Sequence, residues 1–440
     1  MDSLTYAQLL QRNRSFRRLW LGQVISELGN WFNFIAALGL VRVVSHAAPE
    51  ATTIVLLTRL IPFTLFSPLA GAFVDRWSRR RVMIATDILR VFVALGFLFV
   101  HGPEDLWVAY LCTGLLSFFG VFFEAAKNAA VPNITGERDL LAGNALMFSS
   151  RFFLMSIGAA LGGWTSAHVG YQAAFVINAL SFVASAYSVW LVPEDETRQP
   201  ATANAALNAE KSRRSYWSDI REGWSYIVTH RTVATILVTN IFWATGGGLM
   251  NLIADRLGAL VFAGENGIGP DAAVAVLYFG SGMGLFIGML IARRVGGYFE
   301  FKERTVAFIG WSLLIQGLVF ATAGFMPSIW LAGLMILISR ILLGAEFAVQ
   351  ETLLMKLVPD NLRGRVSTTD RATELLIWSF STAVGGWSLY IISPRTLTAI
   401  SGVLSASAGL FWLILFAAQV VTMPVRLSQS RAEQETTVTS

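Results

Sequence analysis

Twelve apolar runs, each about 20 residues long and so able to cross a hydrocarbon core as a helix, leave this chain little choice of architecture. They fall at 17–41, 52–74, 82–101, 106–126, 143–167, 170–191, 232–254, 272–292, 305–325, 328–350, 367–392 and 397–423. Lipid offers a backbone no hydrogen-bond partner, so runs of this length are predicted to be helices that satisfy their own N–H and C=O groups. Only 14% of the 440 residues are charged and 55% are hydrophobic, against about 25% charged for a soluble domain. The expectation is an all-α membrane protein of twelve transmembrane helices. No short apolar stretch with a small-residue cleavage site precedes the first run, which is therefore read as a retained helix.

The charges then give sidedness. With both termini cytoplasmic, 26 of the 33 Lys and Arg lie on the inside, and three, Arg42, Arg256 and Arg395, lie outside. That bias fixes the orientation and accounts for the net charge of +5, so nucleic acid is not expected as a partner. The last four, Arg59, Arg90, Arg151 and Arg340, fall inside spans, where each must be paired or wetted.

What is missing narrows the chemistry. The single cysteine, Cys112, allows neither a disulfide framework nor a CxxC metal site, and His46, His101, His168 and His230 form no ligand cluster. There is no phosphate-binding Gly-x-x-x-x-Gly-Lys-Ser/Thr loop, no His-Glu-x-x-His and no Gly-x-Ser-x-Gly. The expectation is no cofactor, no metal and no enzymatic activity. A membrane sensor would carry a signalling domain, and the one long hydrophilic stretch, 193–230, is too short to be one.

That stretch divides the chain into a six-span bundle at 1–192, a cytoplasmic linker at 193–230, a second six-span bundle at 231–425 and a tail at 426–440. Within the linker Trp217, Ile220, Trp224 and Ile227 recur at helical spacing, as in a helix lying on a membrane surface. The halves repeat one another. Residues 124–132 read EAAKNAAVP and 351–359 read ETLLMKLVP, and Gly162, Gly163, Trp164 are matched by Gly385, Gly386, Trp387. A repeat of six spans keeps its orientation in the membrane, which predicts two pseudo-symmetric bundles about an axis along the membrane normal, with binding between them near the midplane.

After span two comes GAFVDRWSRRR, Gly71 to Arg81. Gly71 would admit a neighbouring helix, Asp75 puts an anion at the helix end, and Arg76, Arg79, Arg80 and Arg81 can bridge to other helices. This Gly-x-x-x-Asp-Arg-x-x-Arg-Arg frame resembles the signature loop of the major facilitator superfamily. With SFRRLWLGQ at 15–23, TDILR at 86–90, IREGW at 220–224 and LRGRVS at 362–367, the likeness extends to the bacterial drug/proton antiporters that include macrolide and enterobactin exporters. It implies the major facilitator fold, a bacterial inner-membrane location, and a cytoplasmic latch in which Asp75 faces span eleven. After span eight, Arg293 and Arg294 lead into Gly296 and Gly297 without that frame, so a second latch there differs.

Repeat symmetry suggests two gate salt bridges, Glu124 with Arg79 or Arg80 and Glu351 with Arg293 or Arg294, the alternative being loop tethers. Span one carries Gln23, Ser26, Glu27 and Asn30 as one polar stripe, followed by Phe34, and span seven offers Asn240, Trp243, Gly247 and Asn251. These are the candidate cavity residues. Glu27 lies about 16 Å along its helix from Phe16, near mid-bilayer, and is either a reversible proton site or an ionised partner of Arg59 or Arg340. Arg340 begins an Arg-x-x-x-Gly element similar to one that proton-coupled members carry in span four. It is a counter-ion for Glu27, a contact for anionic substrate, or the partner of Glu346 or Glu374. Asp87 and Arg90 read as a local pair. Gly158-x-x-x-Gly162 and Gly280-x-x-x-Gly284-x-x-x-Gly288 read as a seam between the bundles, or as packing within them.

Together these imply a monomeric alternating-access exporter, driven by protons, that carries a small amphipathic molecule across the lipid bilayer. The alternatives are a lysolipid or siderophore/organic-anion carrier and a non-transporting membrane sensor.

Overall fold

The computed structural model describes residues 6–74, 76–197, 216–301 and 304–421. They are helical nearly throughout, with no strand among them. Among the described residues, eleven helices are long and apolar enough to span a membrane: Arg14–Val44, Pro49–Ser67, Arg79–Phe99, Pro103–Gly136, Arg138–His168, Tyr171–Trp190, Arg231–Phe262, Pro270–Glu300, Thr305–Ala323, Ile329–Leu357 and Pro394–Ala417. They correspond to spans one to ten and twelve. Span eleven is the 29-residue helix Asp360–Ser388. Its first half carries Arg363, Arg365, Asp370, Arg371 and Glu374, so its apolar stretch is shorter than the others.

Local chemistry sets the helix ends. Asn13 caps span one by accepting from the Phe16 N–H at 2.8 Å, and Ser393 caps span twelve at Thr396 N, 3.2 Å, with Pro394 at the first helical position. Spans four and five run on beyond the apolar runs that predicted them and meet at Gly136, whose φ of +69° lies in the left-handed region that glycine tolerates. Span seven is broken: Arg231–Gly247 gives way to Met250–Leu257 and a π turn at Gly258–Phe262. The linker helix is Tyr216–Thr229. It is tied to the second half rather than lying free, for Glu222 pairs with Arg365 at 2.5 Å, the Tyr226 hydroxyl donates to Leu357 O at 3.2 Å, and Ile227 is buried while Trp224 stays exposed. The side chains of Trp217 and Ile220, residues 198–215 and the tail from 422 lie outside the described residues.

The internal repeat is visible in the packing. Span one lies against spans five and six, span two against four, and span three against six. In the second half seven lies against eleven and twelve, eight against ten, and nine against twelve. The halves meet along two seams, five against eight and two against eleven, which the same symmetry interchanges. The bundle has a basic end, where the Arg- and Lys-rich connections lie, and a far end opposite it.

Candidate functional site

At the far end a buried ionic network joins the halves. Arg42, near the end of span one, reaches Asp255 of span seven and Asp271 at the start of span eight, and Asp255 is fully buried. Tyr171 of span six donates to Asp271 at 2.9 Å. Arg256, 1% exposed, donates to Ala47 O at 2.7 Å, to Ala48 O at 2.8 Å and to the Thr52 hydroxyl, and lies 3.5 Å from Asp255. Tyr390 donates to Glu50 at the same end. Two cations, two anions and the Ala47 and Ala48 carbonyls of the turn after span one offset one another, as charges removed from water must.

Toward the basic end the polar contacts between described residues of the signature loop stay within the first half. Arg79 donates to Ala129 O at 2.8 Å and Thr197 O at 3.2 Å, Arg80 donates to Trp190 O, and Arg81 pairs with Glu194 at 3.6 Å. The expected Glu124 bridge to Arg79 or Arg80 is therefore not made. Glu124 binds Lys127 at 2.7 Å, one turn along its own helix, where i,i+3 spacing requires no loop to be reached. Glu351 is likewise not joined to Arg293 or Arg294, which are exposed; its charged neighbours are Arg371 and Glu374 of span eleven. Spans eight and ten are linked instead by Glu300 and Lys356 at 2.6 Å. Arg76 is exposed, and open space surrounds Gly71, which meets no neighbouring helix in this conformation. Asp75 lies outside the described residues. The ion pairs and hydrogen bonds that join a described residue of one half to a described residue of the other lie at the far end.

Between the two ends is a mixed aromatic and cationic site. Phe34 and Trp31 of span one meet at 5.5 Å between ring centroids, and Tyr278 of span eight lies 5.6 Å from Phe34 and 5.7 Å from Trp31. The Arg59 guanidinium of span two stands 3.8 Å from the centre of the Phe34 ring and 5.4 Å from Trp31. Asn251 fixes the Tyr278 hydroxyl, accepting at 3.1 Å on its side chain and 3.3 Å on its carbonyl. Trp31, Arg59 and Tyr278 were not singled out by the sequence as cavity residues, although Trp31 adjoins Asn30 and Arg59 is one of four cations inside spans.

Glu27 is half-buried and its closest cation is Arg151 of span five, at 3.9 Å; Arg340 is not its partner. Arg340 is buried inside the second half, its Cβ against Gly284 of span eight and its guanidinium 4.9 Å from the Phe320 ring centre. Nor does it pair with Glu346. Six residues place the two about 120° apart around the helix. Elsewhere in span one Ser26 donates to Gln23 O at 3.3 Å, Gln23 Oε1 is buried without a partner, and Asn30 is half-buried. In span seven Asn240 accepts from Gln350 at 3.1 Å and donates to Asp370 at 3.0 Å, and Trp243 lies 5.9 Å from Trp378. Asp87 and Arg90 are bonded, with Arg90 over the Phe123 and Phe182 rings.

The glycines separate into two sets. A Cβ on Gly158 would lie 2.6 Å from Trp31 Cβ, and one on Gly280 would lie 2.6 Å from Gly333 O, so the Gly-x-x-x-Gly faces pack within each half. The seam belongs to others: a Cβ on Gly163 would lie 2.5 Å from Ala275, and one on Gly282 would lie 2.9 Å from Phe152 O. Gly386, the repeat counterpart of Gly163, touches Thr53 across the second seam. The repeated Gly-Gly-Trp therefore marks both places where the bundles press together.

The chain matches the Major Facilitator Superfamily over residues 19–369. It belongs to that family of membrane transporters. Among its relatives is the Uncharacterized MFS-type transporter YfiS of Bacillus subtilis (strain 168), 24% identical over 92% of this chain and 94% of that one. Another is the Multidrug resistance protein MdtH of Edwardsiella ictaluri (strain 93-146), 24% identical over 72% of each. The fold superposes on the crystal structure of a bacterial homologue of the human lysosomal transporter Spinster, inward-facing and occupied, with a TM-score of 0.69 at 14% identity, covering 94% of this chain and 99% of that one.

Proposed function

We propose that this major facilitator protein exports a small amphipathic compound by alternating access, driven by protons moving the other way. Its basic end is cytoplasmic, and it sits as a monomer in a bacterial inner membrane. The observation that carries the reading is the buried network that joins the halves at the far end. Such a molecule is closed to the outside and held by bonds that a rocking motion can break together. The site of Phe34, Trp31, Arg59, Tyr278 and Asn251 draws on both halves, which suits a cavity that each state exposes to one side only.

Glu27 is the proposed proton site. Its nearest cation, Arg151, stands 3.9 Å away on span five of the same half. Proton and substrate favour different states of one carrier, and that difference is what couples them. Arg59 supports a second reading, transport of an organic anion or lysolipid: among the described residues it has no ion pair or hydrogen bond, and it rests on aromatic rings that would hold an apolar tail. The test is flux of amphipathic cations, anions and lysolipids in proteoliposomes under an imposed pH gradient. Gradient-dependent flux that loses its pH dependence in Glu27→Gln is expected. No gradient-dependent flux for any compound contradicts the reading, and undiminished pH dependence in the variant removes Glu27 from coupling.

A further inference from the structure

Glu346 of span ten has no part in the aromatic and cationic site. It is 2% exposed, and its Oε1 is buried with no hydrogen-bond partner. The charges on the elements around it are engaged elsewhere or lie at the ends: span five, which meets the neighbouring Phe347 through Phe148, carries Arg151, paired with Glu27. Span nine, Thr305–Ala323, contains no charge. In span eight Asp271 is held by Arg42 at the far end, and Arg293, Arg294 and Glu300 are exposed at the basic end. In span seven Arg231 begins the helix, and Asp255 and Arg256 belong to the far-end network. Span twelve has only Arg395, bonded to Gly324 O at 2.7 Å. On its own helix Arg340 faces Phe320, Glu351 looks toward Arg371 and Glu374, and Lys356 binds Glu300. An ionised carboxylate so placed would be both unpaired and unhydrated, which buried carboxyls avoid by staying neutral.

The face of span ten that carries Glu346 is polar elsewhere too. Two turns before it, Ser339 donates to Gln316 O at 2.8 Å, and Gln316 donates to Ser405 at 2.7 Å. One turn after it, Gln350 donates to Asn240, and Asn240 donates to Asp370, which is half-buried. The polar stripe therefore leads from a sealed carboxyl toward a more open one.

We propose that Glu346 is a proton-binding site of the C-terminal half, neutral in this conformation and exchanging its proton with water at the basic end along the face of Gln350, Asn240 and Asp370. On release the Glu346 O–H breaks, a carboxylate remains, and the proton passes to water, with Asp370 the carboxyl nearest the exit. Its use in transport rests on the proton-driven function proposed for the carrier, but proton occupancy does not.

The test is infrared spectroscopy of the full-length protein in lipid nanodiscs near neutral pH. A carbonyl band of a buried neutral carboxylic acid is expected, one that shifts in deuterated water, disappears in Glu346→Gln, survives in Glu27→Gln and returns in Glu346→Asp. Asp370→Asn is expected to slow the deuterium shift of that band. A Glu346→Gln protein that melts no lower than the parent yet keeps the whole band overturns the site, and an unchanged exchange rate in Asp370→Asn overturns the route. Neither measurement uses a transported compound, so failure of flux in proteoliposomes leaves this result standing and the reverse also holds.

Discussion

Arg42 neutralises two buried carboxylates belonging to the other half of the molecule. In Arg42→Gln both acids lose their cation, and breaking a buried ion pair from one side costs about 3–5 kcal/mol. A clear fall in melting temperature is expected, partly restored by adding Asp255→Asn and Asp271→Asn; a melt equal to that of the parent would mean the network is not formed. Arg90→Met is expected to act in the same way on Asp87 without touching the seam, with Asp87→Asn recovering much of the loss. Residue-level reading succeeded where both partners share a helix, as with Asp87 and Arg90 three residues apart. Across helices it did not. Glu27 meets Arg151 and not Arg59 or Arg340, and Glu124 meets Lys127, because helix rotation and tilt choose such partners and a linear pattern carries neither.

At the scale of elements, the two glycine sets call for opposite outcomes from one kind of change. Gly282→Val puts methyl groups against Phe152 O and Ser156 across the seam, so it is expected to disfavour this closed far end while leaving each half intact. Gly284→Val meets Leu337 O and Arg340 Cβ inside the second half, and overpacking of that kind costs about 1–3 kcal/mol. Thiol accessibility of a far-end cysteine in a Cys112→Ser background, together with the melting temperature, separates them: exposure rises in the first, and stability falls in the second with exposure unchanged. The sequence offered the Gly-x-x-x-Gly runs as a seam, yet spacing alone does not say which neighbour a small-residue face meets. The repeated Gly-Gly-Trp held that information. The lengths of spans four and five were underread for a related reason: helices that project past the lipid need no apolar residues there.

For the molecule as a whole, apolar runs were enough to predict the helical bundle, since lipid permits few other solutions, and the repeated motifs predicted its two related halves. The three cations outside the bias were the least interesting in that reading, and two of them, Arg42 and Arg256, hold the halves together. Their acids, Asp255 and Asp271, sit at span ends where an anion looks like ordinary loop composition. If this network holds one state of a two-state carrier, loosening it must move the opposite end of the molecule. The most direct measurement is the spin-label distance between Leu141→Cys and Gly297→Cys, one exposed position in each half at the basic end, in the Cys112→Ser background. Adding Arg42→Gln is expected to open the far end and shift the basic-end distances to shorter values. A distribution unchanged by Arg42→Gln in protein that remains folded would contradict a two-state carrier held by this network.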